Sequence, residues 1–181
     1  MQLSIPSPNS GLDKNDLQLF VEAIGWMELG AFNESLNVLK ELSQNAQENN
    51  DILKLHWHLR YKLHDYRQCQ FIGNLLTQKY PNLVESWVLY AQSYYGESNY
   101  EKAFEILSSV REQFSLDWHF AYDYACYHSL TNRFKDIPFW IETAKRQGDP
   151  KKINDMFKND MDFTPYRNYL KENPPPSPPQ S

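Results

Sequence analysis

Few residues of this 181-residue chain have the type and spacing that metal binding requires. His56 and His58 lie two positions apart on a predicted helix, so they point to different faces and cannot chelate as an i, i+4 pair would. His64, His119 and His128 each stand alone in the sequence. We therefore predict no metal site.

Nucleophilic chemistry has equally little support. Cys69 and Cys126 are the only cysteines, and both fall on predicted helices. Free, reduced thiols of a cytoplasmic protein are the simplest interpretation. Cys126 with His119 or His128 could form a nucleophile and its base, but no local signature of a cysteine enzyme surrounds it. The six glycines are scattered and form no phosphate-binding loop, so we predict no cofactor and no enzyme.

The strongest pattern in the chain is a fixed period of 34 residues, which is typical of a helical repeat array. Aromatic side chains recur at this interval, at Phe32, Tyr66, Tyr100 and Phe134. A mostly small column precedes them, at Ala23, Trp57, Ala91 and Ala125. A column rich in turn formers lies two residues before the aromatics, at Gly30, His64, Ser98 and Asn132. Together these columns predict a helix, a turn and a second helix in each unit.

The third unit carries this pattern most clearly. Trp87, Tyr90, Ala91 and Tyr94 share one helical face, and Tyr100 opens the next helix. This order of a Trp, a Tyr, a small residue and an aromatic resembles the tetratricopeptide repeat. The resemblance covers four units, which are 16–49, 50–83, 84–117 and 118–149.

The second and fourth units depart from the family pattern. Trp57 occupies a small-residue position, and Gly73 occupies an apolar one. In the fourth unit Ile137 and Pro138 replace the usual Ala. We expect irregular packing in the second unit.

The resemblance implies an all-α fold in which stacked antiparallel helix pairs form a short right-handed α-solenoid. Residues 12–149 would hold the four helix pairs, after a flexible leader at 1–11. Residues 150–172 would form capping helices, because 159–167 resembles the element that closes many bacterial tetratricopeptide arrays. The proline-rich tail at 173–181 favours polyproline II and is either a stiff solvated segment or a docking segment.

Composition excludes two classes of partner. The net charge is −5 with a pI near 5.5, and no basic run is longer than two residues. Clustered Lys and Arg facing phosphates are therefore missing, and we predict no nucleic-acid partner. No apolar run approaches the length of a membrane span, and the N-terminus does not resemble a signal peptide. We therefore expect no membrane partner and a cytoplasmic location.

In tetratricopeptide arrays the first helix of each pair lines a concave groove, and the resemblance places one stripe of side chains there from each unit. These groove residues are Phe20, Ile24, Met27, Lys54, His58, Tyr61, Val88, Gln92, Tyr95 and Tyr122. Tyr61 and Tyr95 occupy equivalent positions, so we expect them to stack side by side and suit an extended peptide, although ordinary packing between units explains them equally well. Only Lys54 matches the carboxylate clamp of chaperone adaptors, so a terminal acidic peptide is not the expected ligand.

These features predict a non-catalytic scaffold or adaptor that binds a protein or peptide, as an extended segment or a helix, in the groove. Two alternatives remain open. Phe20, Ile24 and Met27 would expose an apolar strip, which a partner, the leader or a second copy could cover. The chain would then be a self-associating homodimer. A secretion-type chaperone is the other alternative, although such proteins usually carry three repeats and their own N-terminal helix.

Overall fold

The computed structural model describes residues 11–174, and all regular structure within that range is helical. The predicted all-α class is therefore confirmed. No helix in the described range is long and apolar enough to cross a bilayer. Residues 1–10 of the predicted leader and 175–181 of the predicted tail lie outside the described residues.

The chain divides between Glu97 and Ser98 into two compact units. The first unit contains α1 (Lys14–Glu28), α2 (Phe32–Leu39), α3 (Gln44–Gln47), α4 (Asn50–Lys62), α5 (Tyr66–Lys79) and α6 (Val84–Tyr95). The second contains α7 (Tyr100–Ser109), α8 (Arg111–Phe114), α9 (Trp118–Leu130), α10 (Ile137–Gln147), α11 (Pro150–Asn159) and α12 (Thr164–Glu172). Short 3₁₀ helices lie at Phe134–Asp136 and Met161–Phe163.

Four turns at the 34-residue period share one backbone conformation. Their central residues all have positive φ: 77° at Gly30, 58° at His64, 59° at Ser98 and 59° at Asn132. Glycine adopts this left-handed region freely, whereas other residues lose about 1–2 kcal/mol there. The prediction that this column forms the turns is confirmed, and it includes His64, which is not a typical turn former.

Polar side chains directly before the first helical residue fix where α5 and α7 begin. The Asp65 carboxylate accepts a hydrogen bond from the Gln68 backbone N–H, and Asn99 accepts one from Lys102 in the same way. A cap of this kind contributes about 1 kcal/mol to helix stability. Asp65 and Asn99 stand directly before Tyr66 and Tyr100, so the cap and the repeating aromatic set the start of α5 and α7 together.

The first unit has two apolar cores. Side chains of α1, α2 and α4 form one, with Phe20, Leu39 and Leu55 at its centre. The other surrounds Trp57 and Cys69, which are both buried. Cys69 is a free thiol that is fully buried in this core.

Trp57 and Gly73 both take part in close packing around the second pair of helices, and the expected irregular packing there stays a prediction. The Trp57 indole N–H donates to Ser93 Oγ at 2.9 Å, so its polar group is satisfied inside the core. A Cβ added at Gly73 would lie 2.8 Å from Tyr90 Cα, which shows how closely α5 approaches α6. The missing side chain at Gly73 thus permits the close approach of α5 to α6.

The segment after α10 packs onto the second unit. Ile153 of α11 and Phe163 are fully buried, and Tyr166 of α12 is nearly so. Arg167 donates hydrogen bonds to the backbone oxygens of Phe157 at 3.2 Å and Asp160 at 2.8 Å. These carbonyls lie at and just beyond the end of α11, where helical partners are missing. We refer to residues 150–172 as the closing segment.

The close approach at Gly73 predicts opposite effects for two glycine-to-alanine substitutions. Gly73→Ala should destabilise the protein by roughly 1–3 kcal/mol, because the new methyl meets backbone that cannot move aside. Gly25→Ala, in the interior of α1 with nothing within 4 Å, should stabilise it by about 0.5–1 kcal/mol. Chemical denaturation of both variants measures the difference. Equal effects at the two positions would contradict the close packing of α5 on α6.

Candidate functional site

Five predicted groove residues on α4 and α6 of the first unit stay partly accessible, and an ion pair between Lys54 and Glu85 joins these two helices. Lys54, His58 and Tyr61 follow each other at i, i+4 and i+7 on α4, so they share one helical face. Gln92 and Tyr95 lie on α6. All five side chains are half-buried. We call these five residues the α4–α6 face.

Lys54 is the cationic centre of this face, but its charge is neutralised. Its Nζ lies 3.0 Å from Asp51 Oδ1 and 3.0 Å from Glu85 Oε2, which ties α4 to α6. Burial lowers the pKa of Lys54, but the hydrogen bonds and charges of Glu85 and Asp51 outweigh it, and the pKa is raised overall. The amine therefore stays charged and occupied, and offers little attraction to an acidic ligand.

His58 leaves a polar atom without a partner. Its Nε2 is buried and has no hydrogen bond to any described residue. Burial, with a smaller effect of the Lys54 charge, lowers the pKa of His58 to about 4. The ring is therefore neutral at physiological pH. Buried polar atoms nearly always have a partner, so this nitrogen is an exception inside the protein, and its burial separates it from a ligand at the surface.

Tyr61 is held by neighbouring rings. It stacks on Trp57 with ring centroids 4.8 Å apart and an interplanar angle of 19°. Its edge meets Tyr66 at 5.5 Å. Such packing restricts the ring without removing it from the surface. The expected stacking of Tyr61 on Tyr95 stays a prediction.

Other predicted groove residues lie inside the protein. Phe20 and Ile24 are buried in the core of α1, α2 and α4, and Val88 of α6 is buried as well. The expected apolar strip is therefore not exposed, and only Met27 of that group is half-buried. The groove positions implied by the resemblance are therefore wrong for Phe20, Ile24 and Val88, because the sequence does not reveal which helical face another helix covers.

Tyr122 is also withdrawn from any groove, because the closing segment covers it. Its hydroxyl donates to Asp160 Oδ2 at 2.9 Å, and its ring meets the Phe163 ring edge to face at 5.7 Å. Cys126, one turn further along α9, places its thiol 3.9 Å from the same carboxylate oxygen. Both side chains therefore hold the closing segment against α9.

This contact brings acidic groups together, which the sequence did not predict. Ligand atoms of Cys126, Asp160 and Asp162 lie within 4.8 Å of one another, as a metal site would require. Metals bind thiolates, however, and burial, followed by the nearby carboxylates, raises the pKa of Cys126 well above its usual range. Without a cation the thiol stays protonated, so the cluster serves packing in the state described.

Asp123 of α9 faces the same cluster. Burial raises the pKa of Asp123 to about 7, and the negative charges of Asp160, Asp162 and Asp117 add to the effect. No sequence motif indicated this cluster, because Asp123 and Asp160 are remote in the chain and the charge of Asp160 reaches Asp123 only in the folded protein. The only signal was the high content of aspartate around 160.

The raised pKa of Asp123 predicts that the stability of the folded protein depends on pH. Its pKa is higher in the folded protein than the ordinary value of 3.8, so its contribution to stability is full below about pH 4 and is lost as the pH rises through 7. Asp123→Asn should therefore leave the free energy of unfolding nearly unchanged at pH 4 and raise it by up to about 4 kcal/mol at pH 8. Denaturation curves from pH 4 to pH 8 measure this.

Asp155→Asn provides the matched control, because Asp155 is exposed on α11. Its effect should be small at every pH. If Asp123→Asn and Asp155→Asn changed stability alike across the range, the carboxylate repulsion around Asp123 would be ruled out.

No model of a known protein family matches the chain. The chain is similar to an uncharacterized protein of Acanthamoeba polyphaga mimivirus, with 26% identity over 110 residues. The similarity covers 52% of this chain and 52% of the viral protein, so the chain spans about half the length of the curated relative it matches. Because that protein is uncharacterized, the similarity assigns no activity.

Proposed function

We propose that the protein is a non-catalytic interaction module of the tetratricopeptide type, and that it binds an extended peptide or a helix of a partner protein across the α4–α6 face. The observation that carries the proposal is the set of half-buried side chains on α4 and α6, namely Lys54, His58, Tyr61, Gln92 and Tyr95. A partner that packs on these side chains would bury surface that the chain itself leaves partly accessible.

The architecture in this proposal is a short right-handed solenoid of helix pairs. It is supported by the recurrence of the left-handed turn at Gly30, His64, Ser98 and Asn132 at one period. Because the same turn joins the two helices of each pair, the second helix leaves the turn in the same direction each time. Equivalent helix pairs that stack on one another form solenoids. Such arrays use the aligned first helices as an extended binding surface.

The charges of the α4–α6 face narrow the class of partner. Lys54 is saturated by Asp51 and Glu85, so an acidic segment would meet a surplus of carboxylate. Tyr61 offers a flat apolar ring with a polar tip, which suits apolar and uncharged polar side chains. The favoured ligand is therefore a neutral or basic peptide rich in apolar residues.

Two other candidates lose support. The self-associating alternative depended on an exposed strip of Phe20, Ile24 and Met27, and the first two are buried in the described structure. A secretion-type chaperone has no observation in its favour beyond size and charge. Non-catalytic binding of a partner is the candidate function that the partly accessible side chains on α4 and α6 support.

A photo-crosslinking experiment tests where the partner binds. The crosslinker p-benzoylphenylalanine is placed at Gln92, on the α4–α6 face, and in a matched variant at Gln78, which is exposed on α5. A partner protein that reacts from position 92 and not from 78 in native lysate supports the proposal. Crosslinking only from 78, or equally from both, would reject the α4–α6 face as the site.

Removing the two tyrosines should abolish partner capture. Tyr61→Ala with Tyr95→Ala is expected to weaken binding by roughly 30-fold or more, the effect of truncating an interface hot spot. Tyr61→Phe with Tyr95→Phe keeps the rings and should retain most of the affinity. Affinity capture with quantitative mass spectrometry compares both with the wild type.

A fold control is needed because Tyr61 stacks on Trp57. Circular dichroism and thermal denaturation should show the alanine variant folded at the capture temperature. Phe71→Ala, which truncates an exposed aromatic on α5, serves as the surface control. Undiminished capture by a folded Tyr61→Ala, Tyr95→Ala variant would refute the proposed site.

A further inference from the structure

The contact between α9 and the closing segment assembles three side chains that can bind a metal ion. Cys126 lies on α9, and Asp160 and Asp162 lie next to and within the 3₁₀ helix Met161–Phe163. One ligand atom from each of the three lies within 4.8 Å of the other two. The proposed function uses none of them, because the α4–α6 face belongs to the first unit and these residues to the second.

The separation of the sulfur and a carboxylate oxygen fits a tetrahedral zinc ion. Cys126 Sγ lies 3.9 Å from Asp160 Oδ2. Zinc binds thiolate sulfur at ~2.3 Å and carboxylate oxygen at ~2.1 Å, so two such ligands at the tetrahedral angle lie about 3.6 Å apart. A small movement of one side chain therefore brings both atoms to bonding distance of one ion.

The protein already orients the Asp160 carboxylate. The Tyr122 hydroxyl donates to its Oδ2 at 2.9 Å, and the Asp162 backbone N–H donates to its Oδ1 at 3.0 Å. Each carboxylate oxygen has two lone pairs, so it can accept such a hydrogen bond and still bind a metal ion. In metal sites, hydrogen bonds to the ligands fix their direction in this way.

Asp123 lacks the partner that a buried carboxylate ordinarily has. Its carboxylate is enclosed by protein, yet it makes no hydrogen bond or ion pair with residues 11–174. The charges that act on it come from Asp117, Asp160 and Asp162, and all of them are negative. Enclosed carboxylates are normally hydrogen-bonded, paired with a cation or bound to a metal. A cation between α9 and the closing segment would supply what Asp123 lacks.

An ion can reach the cluster from solvent. The side chains of Asp123, Asp160 and Asp162 are half-buried, so they retain contact with the surface. Cys126 is only 5% exposed and therefore lies at the inner end of the cluster. A hydrated cation would meet the carboxylates first and the thiol last.

The thiol determines the class of cation. Ca²⁺ and Mg²⁺ take oxygen ligands, whereas Zn²⁺ binds thiolate and carboxylate together. Arg167 does not take the place of a metal, because its guanidinium donates to the backbone oxygens of Phe157 and Asp160 and to the Thr164 hydroxyl. The charge of the carboxylates thus remains available to a divalent ion.

We propose that Cys126, Asp160 and Asp162 bind one Zn²⁺ ion, which joins the closing segment to α9. The ion binds the Cys126 thiolate, and the thiol proton passes to solvent. Water completes the tetrahedron, and the charge of Asp123 attracts the ion from beside the site. Cys126 and Asp160 are 34 residues apart in the chain, which is why no motif indicated the site and the sequence predicted none.

Calorimetric titration of the metal-free, untagged full-length chain with zinc chloride tests the proposal. The wild type should bind one Zn²⁺ per chain. Cys126→Ser and Asp160→Asn should each weaken binding by roughly 100-fold or more, because even the outer partners of a metal site contribute roughly 10- to 100-fold. Asp155→Asn, which changes an exposed carboxylate on α11, is the matched control and should bind as the wild type does.

Two results of this titration would overturn the proposal. One is a wild-type chain that binds no zinc, or that binds Mg²⁺ as tightly as Zn²⁺. The other is equal zinc affinity in the Cys126→Ser and Asp155→Asn chains. Circular dichroism of each variant shows whether it is folded, so that a lost fold is not taken for a lost ligand.

Cobalt identifies the thiolate ligand directly. Co²⁺ occupies tetrahedral zinc sites, and a bond from thiolate to Co²⁺ gives a charge-transfer absorption band in the near ultraviolet that oxygen ligands do not give. The band should appear in the wild type and in Cys69→Ala, which removes the other thiol, buried in the first unit. It should be absent from Cys126→Ser. A band that depends on Cys69, or no band at all, would contradict the assigned ligand.

His119 offers a rival site, because it is exposed and its Nδ1 lies 3.7 Å from Asp117 Oδ1. His119→Gln should leave zinc affinity unchanged if the proposal is correct. Zinc binding that is lost in His119→Gln and kept in Cys126→Ser would reveal an adventitious ion only. Tyr122→Phe, which removes the hydroxyl that orients Asp160, should lower zinc affinity by roughly 10-fold.

Discussion

The whole arrangement depends on one backbone conformation repeated at a 34-residue interval. Each left-handed residue turns the chain back on itself within two or three positions, so that a second helix can run beside the first. The aromatic that follows begins the second helix, or the 3₁₀ turn that leads into it, and a polar cap often precedes it. Because the turn is short, the pair of helices has little freedom in how its apolar faces meet.

Small residues decide how closely those faces approach. Gly73 allows α5 to lie directly against the backbone of α6, and Ser93 makes room for the indole of Trp57 and accepts its hydrogen bond. The large Trp57 is therefore matched by a small residue on the neighbouring helix. Dense packing requires this compensation, because a core tolerates neither a void nor an overlap.

Burial also determines the protonation state of several histidine, cysteine and aspartate side chains. It keeps His58 and His128 neutral, and in both it leaves one ring nitrogen unpartnered. It protonates Cys126 and shifts Asp123 toward neutrality through the carboxylates that the closing segment brings to α9. The same segment withdraws Tyr122 from the surface. The packing of the closing segment on α9 thus buries Tyr122, a predicted binding residue, and also creates an acidic cluster.

The sequence by itself determined the all-α class, the positions of the turns and the helical face on which Lys54, His58 and Tyr61 lie. These properties are local, since they follow from spacing along the chain and from the conformations open to individual residues. Only the tertiary structure decided that Phe20, Ile24 and Val88 are buried, that the charge of Asp160 reaches Asp123, and that His128 is buried against aromatic rings. These properties depend on which helix covers which face, and residues far apart in the chain settle that through packing rather than through any local pattern.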